Sequence, residues 1–220
     1  MKLEIYNGNI VEYDMMSAGI SVATEKGLIS EDIYYDLIEA DKTERTVLFG
    51  MALRDNMKDT DDRTIVKIVN DGIKEFVDMF LKENNIKEDN VLEIAKDAIF
   101  MKSCRIKKYM FGEHILFRCK GRYSYMLGFP ASENVNRLIK LYKENDRIKC
   151  RGAQINYEHD CYESFYELFY YIINKNPVQW NRVYSKFKKK MSNIDPDNKL
   201  ISNIDNSYLV KVLLEASNEV

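Results

Sequence analysis

The chain has 220 residues, 45% of them apolar and 31% charged, which is enough apolar material to close one hydrophobic core and too much for a disordered polymer. Its 33 basic and 35 acidic residues nearly cancel, which excludes a globally basic nucleic-acid-coating protein and leaves a local basic surface open. No run of about 18 apolar residues is present to cross a bilayer, the start Met-Lys-Leu-Glu-Ile-Tyr-Asn-Gly lacks the apolar core of a secretion signal, and Cys104, Cys119, Cys150 and Cys161 form no CxxC pair. These features predict a soluble, cytoplasmic protein with reduced thiols and no membrane partner.

Taken in order, Leu3, Ile5 and Ile10 to Tyr13 read as two short β segments about the turn signal Asn7-Gly8-Asn9. The second ends at Asp14. From Met15 the positions Met16, Ile20 and Ala23 recur at helical spacing, and Gly27 is placed to stop that helix. Ser30 can cap the next, with Glu31 and Asp32 in its first turn and an end near Ala40. Asp41 and Glu44 have capping-box spacing for a third, which carries Arg45, Val47, Leu48, Phe49, Gly50 and Leu53.

After a polar link from Asp55 to Asp62, the set Ile65, Val69, Ile73, Phe76, Val77 and Phe80 recurs at three- and four-residue steps, the strongest helical signal in the chain. Val91 to Met101 reads as a hairpin bent at Lys96-Asp97, and His114 to Cys119 with Arg122 to Leu127 as another, joined around Lys120-Gly121. There the β pattern stops. Helices are predicted over 134–144, 160–174, from Pro177 through Met191, and over 208–216. The third of these carries Arg182, Lys186, Lys188, Lys189 and Lys190 among Trp180, Tyr184 and Phe187. That mixture serves either as a nucleic-acid contact or as a solvated face over a core stripe.

Two acids stand where chemistry can be built. Phosphoryl transfer to a hydroxyl can use two Mg²⁺ ions held by converging carboxylates, and Mg²⁺ keeps enough water that two protein carboxylates plus substrate phosphates can suffice. Asp14 and Asp97 each lie beside a β segment, and neighbouring central strands would bring them together. The bland alternatives are that Asp14 caps the following helix and that Asp97 is an ordinary turn residue. Cys150, His159 and Cys161, with Cys119 more distant, lack the close Cys pair of a zinc site.

Three patches in this order resemble the motifs of family A (Pol I-like) DNA polymerases. Val11-Glu-Tyr-Asp14-Met-Met-Ser17 is similar to their first palm motif, Arg45-Thr-Val-Leu-Phe49-Gly50 to their fingers helix, and Ile94-Ala-Lys-Asp97-Ala-Ile-Phe100 to their last motif, a β-turn bearing a catalytic Asp. The resemblance implies Asp14 and Asp97 as catalytic ligands of Mg²⁺, with Mn²⁺ as a substitute. It also implies Arg45 and Lys42 on the triphosphate and Phe49 packed on the incoming nucleotide, with nucleotide and nucleic acid as partners. The chain departs from the family at Asp41, Leu53-Arg54, Lys96 and Ala98, and shows no thumb.

Few prolines with many Tyr, Asn, Lys and Ile residues match the composition of an AT-rich genome or a phage, and the chain also looks like small phage proteins described as polymerase-like. The expected fold is α+β, a small antiparallel palm-like sheet covered by helices: residues 1–130 form the palm-like core and 131–220 a helical region packed on the same domain. Two functions follow from that scaffold. One is Mg²⁺-dependent nucleotidyl transfer by Asp14 and Asp97, and the other is non-catalytic binding of nucleic acid or of a host protein.

Overall fold

The structure, a computed structural model, describes residues 4–132, 135–144, 147–151, 154–155 and 201–202. In chain order these form β1 (Glu4–Met15), α1 (Ala18–Glu25), α2 (Glu31–Glu39), α3 (Lys42–Asn56), α4 (Asp62–Glu83), β2 (Val91–Ala95), β3 (Ala98–Lys102), β4 (Met110–Phe111), β5 (Ile115–Ser132), β6 (Val135–Glu144), β7 (Arg147–Arg151), β8 (Gln154–Ile155) and β9 (Ile201–Ser202). Among the described residues, four α-helices with an antiparallel sheet make the fold α+β. The chain divides into two compact units, Val11–Arg122 and the combined stretches Met1–Ile10 and Tyr123–Val220.

Within Val11–Arg122 the strand order is β2-β3-β1-β5, with β4 beside β5. The Met15 N–H donates to the Asp97 carbonyl at 3.0 Å, so the start of β3 lies beside the end of β1 and the two run antiparallel. Since β2 is antiparallel to β3, β1 and β2 run the same way with β3 inserted between them and the four helices in the connection, a split β-α-β arrangement.

Strand alternation then sorts the side chains. Val11, Tyr13 and Met15 of β1, Ile99 and Met101 of β3, and Ile115 and Phe117 of β5 share one core with Val69, Ile73, Phe76, Val77 and Phe80 of α4. These α4 residues are the periodic stripe legible in the sequence, and Phe80 and Phe117 stack with centroids 4.4 Å apart. A smaller cluster, Ile20, Ala23, Ile29, Leu37, Leu53 and Ile65, joins α1 to α2, α3 and the start of α4. α1 approaches α4 closely at Gly72, where a Cβ would stand 2.5 Å from Val22 Cγ1.

The helix ends follow their capping chemistry. Ser30 accepts from the Ile33 N–H at 3.4 Å, while Asp41 and Asp61 each accept two N–H groups, from Thr43 with Glu44 and from Arg63 with Thr64. α1 closes with Gly27 left-handed at φ 70° and the Leu28 N–H returning to the Ala23 carbonyl. α4 closes the same way on Asn85 at φ 55°, with the Ile86 N–H reaching the Leu81 carbonyl. Beside it, the buried Asn84 side chain donates to the carbonyls of Phe80 and Lys108 and accepts from the N–H groups of Lys107 and Lys108, all at 2.8–2.9 Å.

In the other unit β5, β6 and β7 pair antiparallel, with Leu127 opposite Leu141 and Lys143 opposite Ile148. The Tyr123 and Tyr142 rings pack 5.4 Å apart, and the nearly buried Lys140 ammonium reaches the Glu4 carboxylate at 3.2 Å. β8 pairs with β9 through Gln154 with Ser202 and Ile155 with Ile201.

Four local expectations are corrected. Asn7-Gly8-Asn9 is no hairpin turn: Gly8 lies inside β1, where a Cβ would sit 2.9 Å from the Tyr6 hydroxyl oxygen, so the glycine makes room for a ring. Lys120-Gly121 is no turn either, because β5 runs through it with Gly121 buried and neither residue left-handed. Met15 belongs to β1 rather than to a helix, and α1 begins only after Ser17, which turns the chain at φ 45°. Residues 135–144 are strand β6, not helix. The apolar run Leu138, Ile139, Leu141 and Tyr142 suits either period, and pairing on both sides with β5 and β7 decides it. The helices expected over 160–174, 177–191 and 208–216 lie outside the described residues.

Asn84→Ala is expected to cost on the order of 2–3 kcal/mol in urea denaturation, because two backbone donors lose their acceptor, and Asn84→Asp should fare no better since its carboxylate would face two carbonyls. Asp61 is held below its ordinary value of 3.8 by the Thr64 hydroxyl and then the Thr64 N–H. A depressed carboxylate contributes its stability above pH 3.8 and loses it as pH falls through the lower folded value. The denaturation midpoint of the wild type should therefore exceed that of Asp61→Asn above pH 4, with the gap closing at more acid pH.

Candidate functional site

The end of β1 is fixed on both sides. Met15 bonds to Asp97, and the Met16 N–H donates to the Leu116 carbonyl at 2.8 Å. β1 and β2 point the same way, so Asp14 at the end of β1 and Asp97 in the β2–β3 turn occupy the same end of the sheet. Lys96 makes that turn at φ 61° and Ala95 pairs with Ala98. The topology thus brings the backbones of the two acids together across adjacent central strands.

Their side chains have different settings. Met15 and Tyr13 point into the α4 core, so alternation sends Asp14 to the opposite face. There its carboxylate receives the Lys120 ammonium of β5 at 2.9 Å, with Asp14 13% and Lys120 45% exposed. Asp14 is not a helix cap: the N-cap of α1 is Ser17, without a side-chain bond, and the Ser21 hydroxyl donates to the Met16 carbonyl instead. Among the described residues no group of three or more His, Cys, Asp or Glu side chains is arranged to hold a metal.

The residues matched to the fingers helix have structural duties. Arg45 turns back from α3, and its Nη2 donates to the carbonyls of Ile38 at 2.9 Å and Ala40 at 2.7 Å, satisfying the end of α2. Phe49 lies against Gly19 of α1, where a Cβ would be 3.2 Å from its ring, and packs on the smaller core cluster. Lys42 is exposed at the first position of α3. The basic set Arg182, Lys186, Lys188, Lys189 and Lys190 lies outside the described residues, as do His159 and Cys161.

Three residues escaped the sequence reading. Arg118, Lys120 and Arg122 are exposed and alternate along one strand, so they share the face on which Lys120 meets Asp14. The signal was present as Arg118-Cys-Lys120-Gly-Arg122, a basic residue at every second position, and was hidden by reading Lys120-Gly121 as a bend. Arg105, Lys107 and Lys108 add exposed charge on the segment that Asn84 pins, and Lys108 also lies 4.9 Å over the Phe111 ring.

Burial, reinforced by a hydrogen bond with Tyr109, pushes the Tyr13 phenol far above its usual range, so it stays neutral in the core. Burial also raises the Cys104 thiol, which disfavours its thiolate. Cys119 is exposed on β5. Glu25, at the end of α1, accepts the N–H groups of Glu113 and His114 at 2.5 and 2.6 Å in the turn between β4 and β5. Gly112 is left-handed there at φ 67°, where any Cβ would strike that carboxylate.

A family model described as Bacteriophage PBS1 gene 130 protein matches residues 2–170. Comparison with the curated proteins finds no match.

Because Lys120 is half-exposed, breaking its pair with Asp14 is expected to change stability little. Lys120→Met and Asp14→Asn should each stay within about 1 kcal/mol of wild type in urea denaturation. Arg45→Met, which strips the donors from two carbonyls at the end of α2, should cost about 1–2 kcal/mol in the same measurement.

Proposed function

This chain belongs to the Bacteriophage PBS1 gene 130 protein family, and we propose that it is a non-catalytic phage protein binding the phosphate backbone of single-stranded nucleic acid on one face of a palm-like sheet. The observation that carries the reading is the stripe Arg118, Lys120 and Arg122, exposed at alternate positions of β5. Alternate strand residues stand about 6.7 Å apart, so the three cations form a row about 13 Å long that can follow the phosphates of one strand. The stripe concentrates positive charge locally in a chain whose net charge is only −2, which is how a near-neutral protein attracts a polyanion. Backbone contacts of this kind give affinity without base readout. The C-terminal set Arg182, Lys186, Lys188, Lys189 and Lys190 is a second source of phosphate contacts in this reading.

One observation favours a second reading, nucleotidyl transfer: the Met15 to Asp97 hydrogen bond, which sets both acids at one end of the sheet as the polymerase resemblance requires. In that case Asp14 and Asp97 hold Mg²⁺, while Lys42, Arg45 and Phe49 receive the nucleotide. Arg45 would then have to leave the carbonyls of Ile38 and Ala40, and this weighs toward binding without catalysis.

The test is binding of a labelled single-stranded oligonucleotide, followed by anisotropy across a salt series. Each phosphate contact contributes about −0.7 to the slope of log K against log salt, so the stripe alone predicts a slope near −2. Arg118→Ala with Arg122→Ala should flatten it by more than 1, and neutralising residues 188–190 reports separately on the C-terminal set. A salt-independent complex with a host protein would replace this reading. Nucleotide incorporation on a primed template with Mg²⁺ or Mn²⁺, lost in both Asp14→Asn and Asp97→Asn, would establish the second.

A further inference from the structure

The polymerase resemblance implies a divalent metal at Asp14 and Asp97, so the residues present can be tested against that group. Mg²⁺ requires hard oxygen ligands in a near-octahedral shell at about 2.0–2.1 Å. The Asp14 carboxylate, only 13% exposed, already receives an ammonium group at 2.9 Å from Lys120, on the strand flanking β1. An ammonium donor has no lone pair to offer a metal, and its charge repels a dication from the same carboxylate. Asp14, paired with Lys120, therefore does not fit the metal.

We infer that Lys120 stands in place of a metal cation at the Asp14 carboxylate, so that this end of the sheet carries its own tethered cation and receives phosphate without a divalent ion. Three features of the geometry converge on that role. Asp14 is fixed by the backbone bonds that hold the residues after it to Asp97 and Leu116. Lys120 is held from the opposite strand and keeps 45% of its side chain open to solvent. Its ammonium has three donors; one is directed at Asp14, and two remain for the oxygens of an arriving phosphate. Arg118 and Arg122, two positions to either side on the same face, extend the contact along the strand. Asp14 is thus a positioning residue that aims Lys120, and neither group undergoes chemistry. This assignment deepens the nucleic-acid-binding reading and rests on it for the identity of the ligand.

The cation itself is tested without nucleic acid. The free Mn²⁺ signal is followed by electron paramagnetic resonance as the ion is titrated into the full chain, comparing wild type, Lys120→Arg, Lys120→Met, Lys120→Gln, and Lys120→Met combined with Asp14→Asn. Removing the ammonium should unmask the carboxylate, so Lys120→Met and Lys120→Gln should bind Mn²⁺ several-fold more tightly than wild type. Lys120→Arg should behave as wild type, and the double variant should lose the gain. Equal or weaker Mn²⁺ binding in both Lys120→Met and Lys120→Gln, each shown to be folded by circular dichroism, would overturn the assignment, as would a wild-type Mn²⁺ site abolished by Asp14→Asn alone. A second measurement uses the labelled single strand: wild type should bind it at least as tightly in EDTA as in Mg²⁺ at matched ionic strength, since Mg²⁺ competes for the phosphates, and a requirement for Mg²⁺ would again overturn the assignment. Failure of the oligonucleotide to bind at all would remove the proposed ligand, while the Mn²⁺ comparison would still decide what occupies Asp14.

Discussion

Two backbone hydrogen bonds at the end of β1 govern the unit Val11–Arg122. Met15 donates to Asp97 on one flank and Met16 to Leu116 on the other, so three segments distant in sequence meet at one point. With that point fixed, β1 must be an interior strand, the helices must occupy the connection to β2, and the odd-numbered side chains of β1 must face α4. The same constraint places Asp14. Its neighbours Tyr13 and Met15 are committed to the core, so the period of two directs the carboxylate to the other face, where a lysine from the next strand can neutralise it.

Charge in this molecule is organised by position rather than by sum. Acidic and basic residues nearly balance over the chain, and several acids of the helical region serve local contacts: caps at Asp41 and Asp61, the Lys26–Glu75 and Arg54–Asp62 pairs, and the turn held by Glu25. On β5, Lys120 pairs with Asp14, and Arg118, Lys120 and Arg122 share one exposed face. An excess of positive charge therefore collects along one strand without making the protein as a whole basic, and screening by salt confines its reach to about one Debye length, near 10 Å.

Elements whose hydrophobic period and caps agree were legible from sequence. α2 and α3 begin at Ser30 and Asp41, and the stripe from Ile65 to Phe80 is the one that enters the core, while the cap of α4, Asp61, lies within the stretch that reads as a polar link. The β2–β3 hairpin was legible because Lys96-Asp97 is polar between two apolar runs. What misled was glycine. Gly8 and Gly121 read as turns in the sequence, although glycine also serves inside a strand where a ring or a neighbouring chain comes close. The error at Gly121 had a functional cost, since cutting β5 there separated Arg118 from Arg122 and hid their common face. Strand β6 was missed for a different reason: its apolar residues fit either period, and non-local pairing settles such a case. The family A resemblance could not reveal the lysine across from Asp14, which lies 106 residues away and outside every matched motif.

The Glu25 carboxylate has a bearing on dynamics. It is a helix-borne group closing a turn 88 residues away, and the turn's amides have that one oxygen as acceptor in place of a strand partner. Opening the turn therefore requires the last residue of α1 to let go, and fraying of α1 releases the turn. Amide exchange at Glu113 and His114 should consequently report the local unfolding of a helix to which they do not belong, joining α1 and the β4–β5 turn into one cooperative unit.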